Sequence, residues 1–274
     1  MKNSIFPVRR RNGLFLALFS LLSSALAAPR ARAQTADELA AKVLAARGGV
    51  DKIRTIQRQR VSGKISFGPS AEGPFVVEFE RPGKMHMEIT IAGQTVLRIY
   101  DGKSVGWVVN PFAPNKDVQP MEADDLRNIS DEADFDGPLL DYQSKGNHLE
   151  LAGKDEVDGK AVIKLKLTNK NGDERTYFFD AATYLLAKWE GKRKSENQEI
   201  AVETFFSDYR DVQGVKFAFE IDSDSPGSEQ KQRITISKIE IDPPIDEEHF
   251  AKPVLATPRA SARLKDTHVV ALLR

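Results

Sequence analysis

Residues 73–107 carry the clearest pattern in the chain. Phe75, Val77 and Phe79 alternate with polar or partly polar neighbours, and Pro82-Gly83 ends the run. Met85, Met87, Ile89 and Ile91 then alternate with His86, Glu88 and Thr90. Ala92-Gly93 turns the chain, residues 95–101 follow, and Asp101-Gly102-Lys103 leads into Val105 and Trp107. In an extended chain successive side chains point to opposite faces. Alternation broken by Gly, Pro and Asp therefore predicts four strands of an antiparallel meander.

The same signal recurs on both sides. Val61, Ile65 and Phe67 mark a strand before the meander. After it come residues 148–151 and 161–168, where Ile163, Leu165 and Leu167 oppose Lys164 and Lys166. Asn171-Gly172 is a strong hairpin signal, and residues 175–180, 184–189, 200–206, 215–221 and 233–241 complete the set. About eleven strands in sequential order predict a mainly β fold, a sandwich or a barrel. More than eight strands leave room inside a barrel.

Two stretches read as helical. Thr35-Ala36-Asp37-Glu38 is a capping box, Leu39, Val43 and Leu44 form an apolar stripe behind it, and Gly48-Gly49 closes the helix. Residues 50–56 follow as a short turn with Ile53 and Ile56 on one side. Residues 121–135 are acidic, with Leu126 and Ile129 three apart, and Asp136-Gly137-Pro138 stops them. This interruption between the two runs of strands is too long for a hairpin. It reads either as a lid over the sheet or as a helix plugging one end.

Composition sets the compartment and the partners. Residues 1–33 have a basic start, an apolar run at 14–26 and two small-x-small sites, which is a secretory leader. Six of the 40 basic residues and none of the 40 acidic residues lie in it, so the mature chain carries a net charge of −6. That disfavours nucleic acid and anionic membrane surfaces as partners. The chain has no cysteine, which excludes disulfides and a lipid anchor on a leader cysteine. The expected organisation is a leader at 1–33, one domain at 34–253 and a tail at 254–274, in a periplasmic monomer.

No catalytic constellation is visible. There is no G-x-S-x-G and no glycine-rich phosphate loop, so the chain is expected not to be an enzyme and to need no cofactor. His86, His148, His249 and His268 show no metal-ligand spacing and read as exposed strand or turn residues without a metal. Asp124-Asp125 and Asp131-Glu132 read as a solvated helix face. What remains is a set of large soft side chains. Phe75, Phe79, Met85, Met87, Ile89, Trp107, Trp189, Phe206 and Phe217 are candidates to line an apolar cavity, with Tyr177, Phe179 and Phe219 in the same set; plain core packing is the competing reading.

A family resemblance rests on short motifs in order. These are Ala46-Arg47-Gly48-Gly49-Val50-Asp51-Lys52-Ile53, Arg60-Val61-Ser62-Gly63, Arg81-Pro82-Gly83-Lys84-Met85 and Tyr100-Asp101-Gly102. Further on come Asp134-Phe135-Asp136-Gly137-Pro138-Leu139, Asp208-Tyr209-Arg210 and Pro244-Ile245-Asp246 with Phe250. Across residues 35–253 the chain resembles the LolA-like proteins, periplasmic outer-membrane lipoprotein-sorting proteins. The resemblance implies a large half-open antiparallel β-barrel with a short helical lid and an apolar cavity for acyl chains. It implies an acylated lipoprotein or lipid as partner, with membrane-anchored donor and receptor proteins. Arg60 and Arg81 are the candidates for a lid-holding arginine. Relatives of this fold also act as envelope sensors that bind lipid and regulate a membrane partner, which is the alternative reading.

Overall fold

The structure is a computed structural model that describes residues 34–254 except 69–70, 196–197 and 226–230. The leader at 1–33, His268 and all but the first residue of the tail lie outside the described residues. Thirteen strands form one antiparallel sheet: β1 (Arg58–Phe67), β2 (Glu72–Glu80), β3 (Lys84–Ile91), β4 (Gln94–Tyr100), β5 (Gly106–Val109), β6 (Gln119–Pro120), β7 (His148–Val157), β8 (Lys160–Thr168), β9 (Glu174–Asp180), β10 (Leu186–Ser195), β11 (Gln198–Val212), β12 (Val215–Asp224) and β13 (Gln232–Ile241). Their order across the sheet is 6-5-4-3-2-1-13-12-11-10-9-8-7. It is two meanders, each of sequential hairpins, joined where β13 pairs with β1. The outermost strands, β6 and β7, do not pair with each other, so the barrel stays open.

Three helices accompany the sheet: α1 (Ala36–Arg47), α2 (Val50–Thr55) and α3 (Ala123–Glu132). Thr35 caps α1 with its hydroxyl, and Glu38 reaches back to the Thr35 amide, as the capping-box spacing predicts. α1 packs on β7 and β12, while α3 touches both β4 and β10. Strands third and tenth in the sheet can share one helix only if the sheet curls round it. Bulges at Ser62/Gly63, Leu151/Gly153 and Leu186/Lys188 supply local bending. At Gly63 a Cβ would lie 2.2 Å from the Thr235 carbonyl oxygen, so this bulge requires glycine.

The strand count exceeds the sequence expectation because β6 is a two-residue edge strand inside a proline-rich stretch, where no alternation can register. β10 and β11 also run well past residues 189 and 206. The far end of β10 is charged and paired across the hairpin to the start of β11, as in Lys192–Glu199, so no apolar face announced it. The Asn171-Gly172 hairpin forms with a longer loop than two residues. Only Gly172 has positive φ, and the Asn169 side chain accepts from the Asn171 and Asp173 amides instead.

The core lies on the concave face in two clusters. One joins Leu39, Val43 and Leu44 of α1 and Ile53 of α2 to Ile163, Leu165, Tyr177 and Phe179. The other joins Ile129 and Ala133 to Val61, Phe75, Val77, Met85, Phe219 and Ile239.

Candidate functional site

Strand register decides which side chains face the concavity. Val77 opposes Met87, Phe79 opposes Met85 and Phe75 opposes Ile89, so these residues share the inner face. Met85 is fully buried and Phe75 nearly so, whereas Phe79, Met87 and Ile89 are partly buried around them. On the other half, Trp189 opposes Tyr177 and Thr204, Phe206 opposes Ile221, and Phe217 lies in line with Phe219 and Ile221. All of these point inward with the rest of the set.

Trp107 does not. Met85 opposes Tyr100, and Tyr100 opposes Gly106. The even positions of β4 and β5 are therefore inner, and Trp107 stands with Ile99 and His86 on the outer face. This corrects its assignment to the cavity lining. The hairpin loops reset parity between strands, so odd numbers that face inward in β3 face outward in β5.

The segment between β6 and β7 covers this inner face, and a few side chains fasten it. Glu132 accepts from Arg98 Nη1 at 2.8 Å and from Arg193 Nη2 at 2.5 Å. Asp131 accepts from Arg175 at 2.9 Å, and Lys145 donates to both oxygens of Asp134. α3 is thus tied to both arms of the curled sheet. Just beyond it, Arg81 forks onto both oxygens of Asp136 and also donates to the Ile56 and Ile53 carbonyls at 2.6 and 3.0 Å. Its guanidinium lies 5.1 Å from the Phe135 ring centre, and Phe135 in turn meets Phe79. Arg47 donates to the Asp136 carbonyl at 2.7 Å, and burial presses its pKa below the ordinary value. One arginine therefore binds the β2–β3 turn, α2 and the covering segment together. Arg60 has no such place. It donates to Glu78 and to the Pro244 carbonyl on the outer face, which corrects its candidacy as a contact to the covering segment.

The two core clusters adjoin each other. Phe217 and Ile241 are partly buried and pack against both core clusters. Arg175 lies over Trp189, 5.1 Å from the ring centre, and Arg210 lies over Phe219 at 4.4 Å. The inner face is thus apolar with guanidiniums set into it. A separate groove of about 600 Å³ includes Phe206 but is lined by Lys160, Asp222 and Arg233, charges that do not suit an acyl chain. The inward arginines escaped sequence reading, although Arg98 sits at the same parity as inner Val96 and Tyr100.

Burial raises the carboxyl pKa of Asp131 and of Asp134 above the ordinary range, against the opposing pull of Arg175 and Lys145. In an opened segment both would return toward ordinary values. The closed form then holds protons more tightly, so acidification through the raised pKa values favours closure, and a rise to neutral pH favours opening. Acrylamide quenching of Trp189 in a Trp107→Phe variant is expected to be weaker at about pH 4, near the ordinary carboxylate pKa, than at about pH 7. Equal quenching at the two pH values would remove this linkage.

No protein-family model matches the sequence, and no curated protein matches it. Solved structures do. A DUF1329 family protein from Desulfovibrio piger superposes with a TM-score of 0.52 at 14% identity, over 78% of this chain and 96% of that one. A putative outer membrane lipoprotein-sorting protein domain from Vibrio parahaemolyticus gives 0.53 at 11%, over 79% and 96%. A LolA superfamily protein from Nitrosomonas europaea gives 0.50 at 13%, over 80% and 98%. Identities this low establish shape and not activity. An open antiparallel sheet, curled round helices and shared along nearly the full length of these proteins, gives this chain the LolA-like fold.

Proposed function

We propose that the protein is a periplasmic carrier that shields the acyl chains of a lipoprotein or another lipid on its way toward the outer membrane. The observation that carries this reading is the fastening of the covering segment. The ion pairs Arg81–Asp136 and Arg98–Glu132 hold it over an apolar face, with no strand pairing to the sheet beneath. Ion pairs exchange partners at low cost, whereas a strand in a sheet does not. Opening would bare Phe79, Met87, Phe217 and Trp189 together with Arg98, Arg175 and Arg193. An apolar strip with cations at its edge suits an amphiphile with an anionic head. Each methylene taken from water contributes about 0.8 kcal/mol, so a single long chain suffices for binding and no catalysis is needed. The leader read in the sequence and the lipoprotein-sorting description of the Vibrio protein support the same reading. Among the described residues no helix is long and apolar enough to cross a membrane.

The two tryptophans lie on opposite faces, which gives a direct test. Native mass spectrometry with a triacylated peptide is expected to show a bound complex. Emission from Trp189 in the Trp107→Phe variant should then shift blue, while emission from Trp107 in the Trp189→Phe variant stays where it was. Absence of a complex would end the carrier reading. A complex that shifts only Trp107 would move the binding surface to the outer face. A membrane partner that binds only the lipid-free or lipid-loaded form, without lipid transfer, would favour a sensor.

A further inference from the structure

The outer face of the β2–β3 hairpin holds a side-chain cluster that plays no part in the covered concavity. Glu78 on β2 opposes His86 on β3. The 3₁₀ turn Glu247–Phe250 packs on β3 and β4 and brings His249 over this pair. His249 Nδ1 is 2.6 Å from Glu78 Oε2, and the two imidazoles stack with centres 5.1 Å apart. One donor atom from each residue lies within 4.8 Å of the other two. The sequence reading of His86 as exposed is corrected here, since it is only 8% exposed, whereas His249 is exposed as read.

Two details distinguish the cluster from an ordinary buried pair. His86 Nδ1 is buried and has no hydrogen-bond partner, and it faces Glu78 Oε2 at 3.8 Å, too far for a hydrogen bond. A buried nitrogen without a partner is costly, and few such groups persist without a use. On the other side of the ring, His86 Nε2 lies 3.5 Å from Glu88 Oε1. The nearby Glu88 carboxylate favours the proton on Nε2, which leaves the Nδ1 lone pair aimed into the cluster. A carboxylate behind an imidazole is the usual outer support of a metal-binding histidine. Burial also lowers the His86 pKa, which keeps its ring neutral at neutral pH. Arg60 takes the other Glu78 oxygen at 2.7 Å and leaves Oε2 as the single donor.

We propose that Glu78, His86 and His249 form a site for a divalent transition metal of the zinc class. Two imidazoles and one carboxylate are borderline nitrogen and oxygen donors, the set that zinc accepts with water in a fourth position. The side chain of His249 is 46% exposed, so the site opens to solvent on that side and the ring has room to turn toward an ion. Bound metal would fasten the C-terminal turn to the outer face of the hairpin.

The test is zinc titration of metal-free, tag-free protein by calorimetry, with thermal melting in parallel. One zinc per chain and a raised melting temperature are expected. His249→Ala should weaken binding at least about tenfold, since even loss of an outer support costs a metal site 10–100-fold. His148→Ala, an exposed histidine far along the chain, should bind as the parent does. Glu78→Gln, equal in size, gives the same reading if His249→Ala disturbs folding. No zinc uptake by the folded parent, or uptake untouched by both cluster variants, overturns the proposal.

Discussion

Arg81→Ala is expected to lower stability by about 3 kcal/mol, because it leaves Asp136 buried without its charge partner. For a domain of this size that is a fall in melting temperature of roughly 6–12 °C. Three connections are lost together. The Asp136 carboxylate loses both of its donors from this guanidinium, the Ile53 and Ile56 carbonyls lose theirs, and Phe135 loses the cation above its ring. Arg81→Lys keeps the charge without the planar fork and should recover only part of the loss. Arg54→Ala is the matched control. Its pair with Asp141 also joins α2 to the covering segment, but both side chains are about half exposed. Exposed pairs contribute little, so this variant should melt with the parent. Equal melting of Arg81→Ala and Arg54→Ala would show that Arg81 does not hold the segment.

Ile129→Ala is expected to cost about 2–5 kcal/mol, the range for removing a large aliphatic side chain from a filled core. Ile129 is fully buried and belongs to the cluster of Phe75, Val77 and Met85, so α3 inserts it as part of the core. The informative comparison is with an acylated peptide present. If the acyl chain displaces α3, Ile129 is already out of the core in the complex. The parent and the variant should then bind with different apparent affinities, the variant more tightly, since it has less packing to give up. Leu165→Ala removes an equally buried side chain on the far half of the sheet and should show the stability cost without the gain in binding. A variant with lowered stability and unchanged affinity would mean that α3 stays seated when lipid binds.

Much of the fold is written in local pattern. The alternation of residues 75–91, the positive-φ turn at Ala92-Gly93 and the Thr35–Glu38 capping box each concern residues a few places apart, and each forms as the pattern predicts. The fastening side chains were less legible. Arg81 was a candidate through its motif, but its partner Asp136 is 55 residues away. Arg98, Arg175 and Arg193 resemble any other strand arginine until the curl of the sheet brings α3 above them.

Local pattern along the chain is enough to specify a mainly β fold of sequential antiparallel strands, with a capped helix before them and an acidic helix between two runs. Those features follow from backbone periodicity and turn chemistry, which act over a few residues. Tertiary structure alone decided which face each strand presents. Trp107 faces out and Trp189 faces in because loop lengths set parity and the β1–β13 pairing joins the ends of the domain. It alone brought His249 onto Glu78 from 171 residues away. Contacts across such distances depend on how the whole sheet curls, and no local pattern records that.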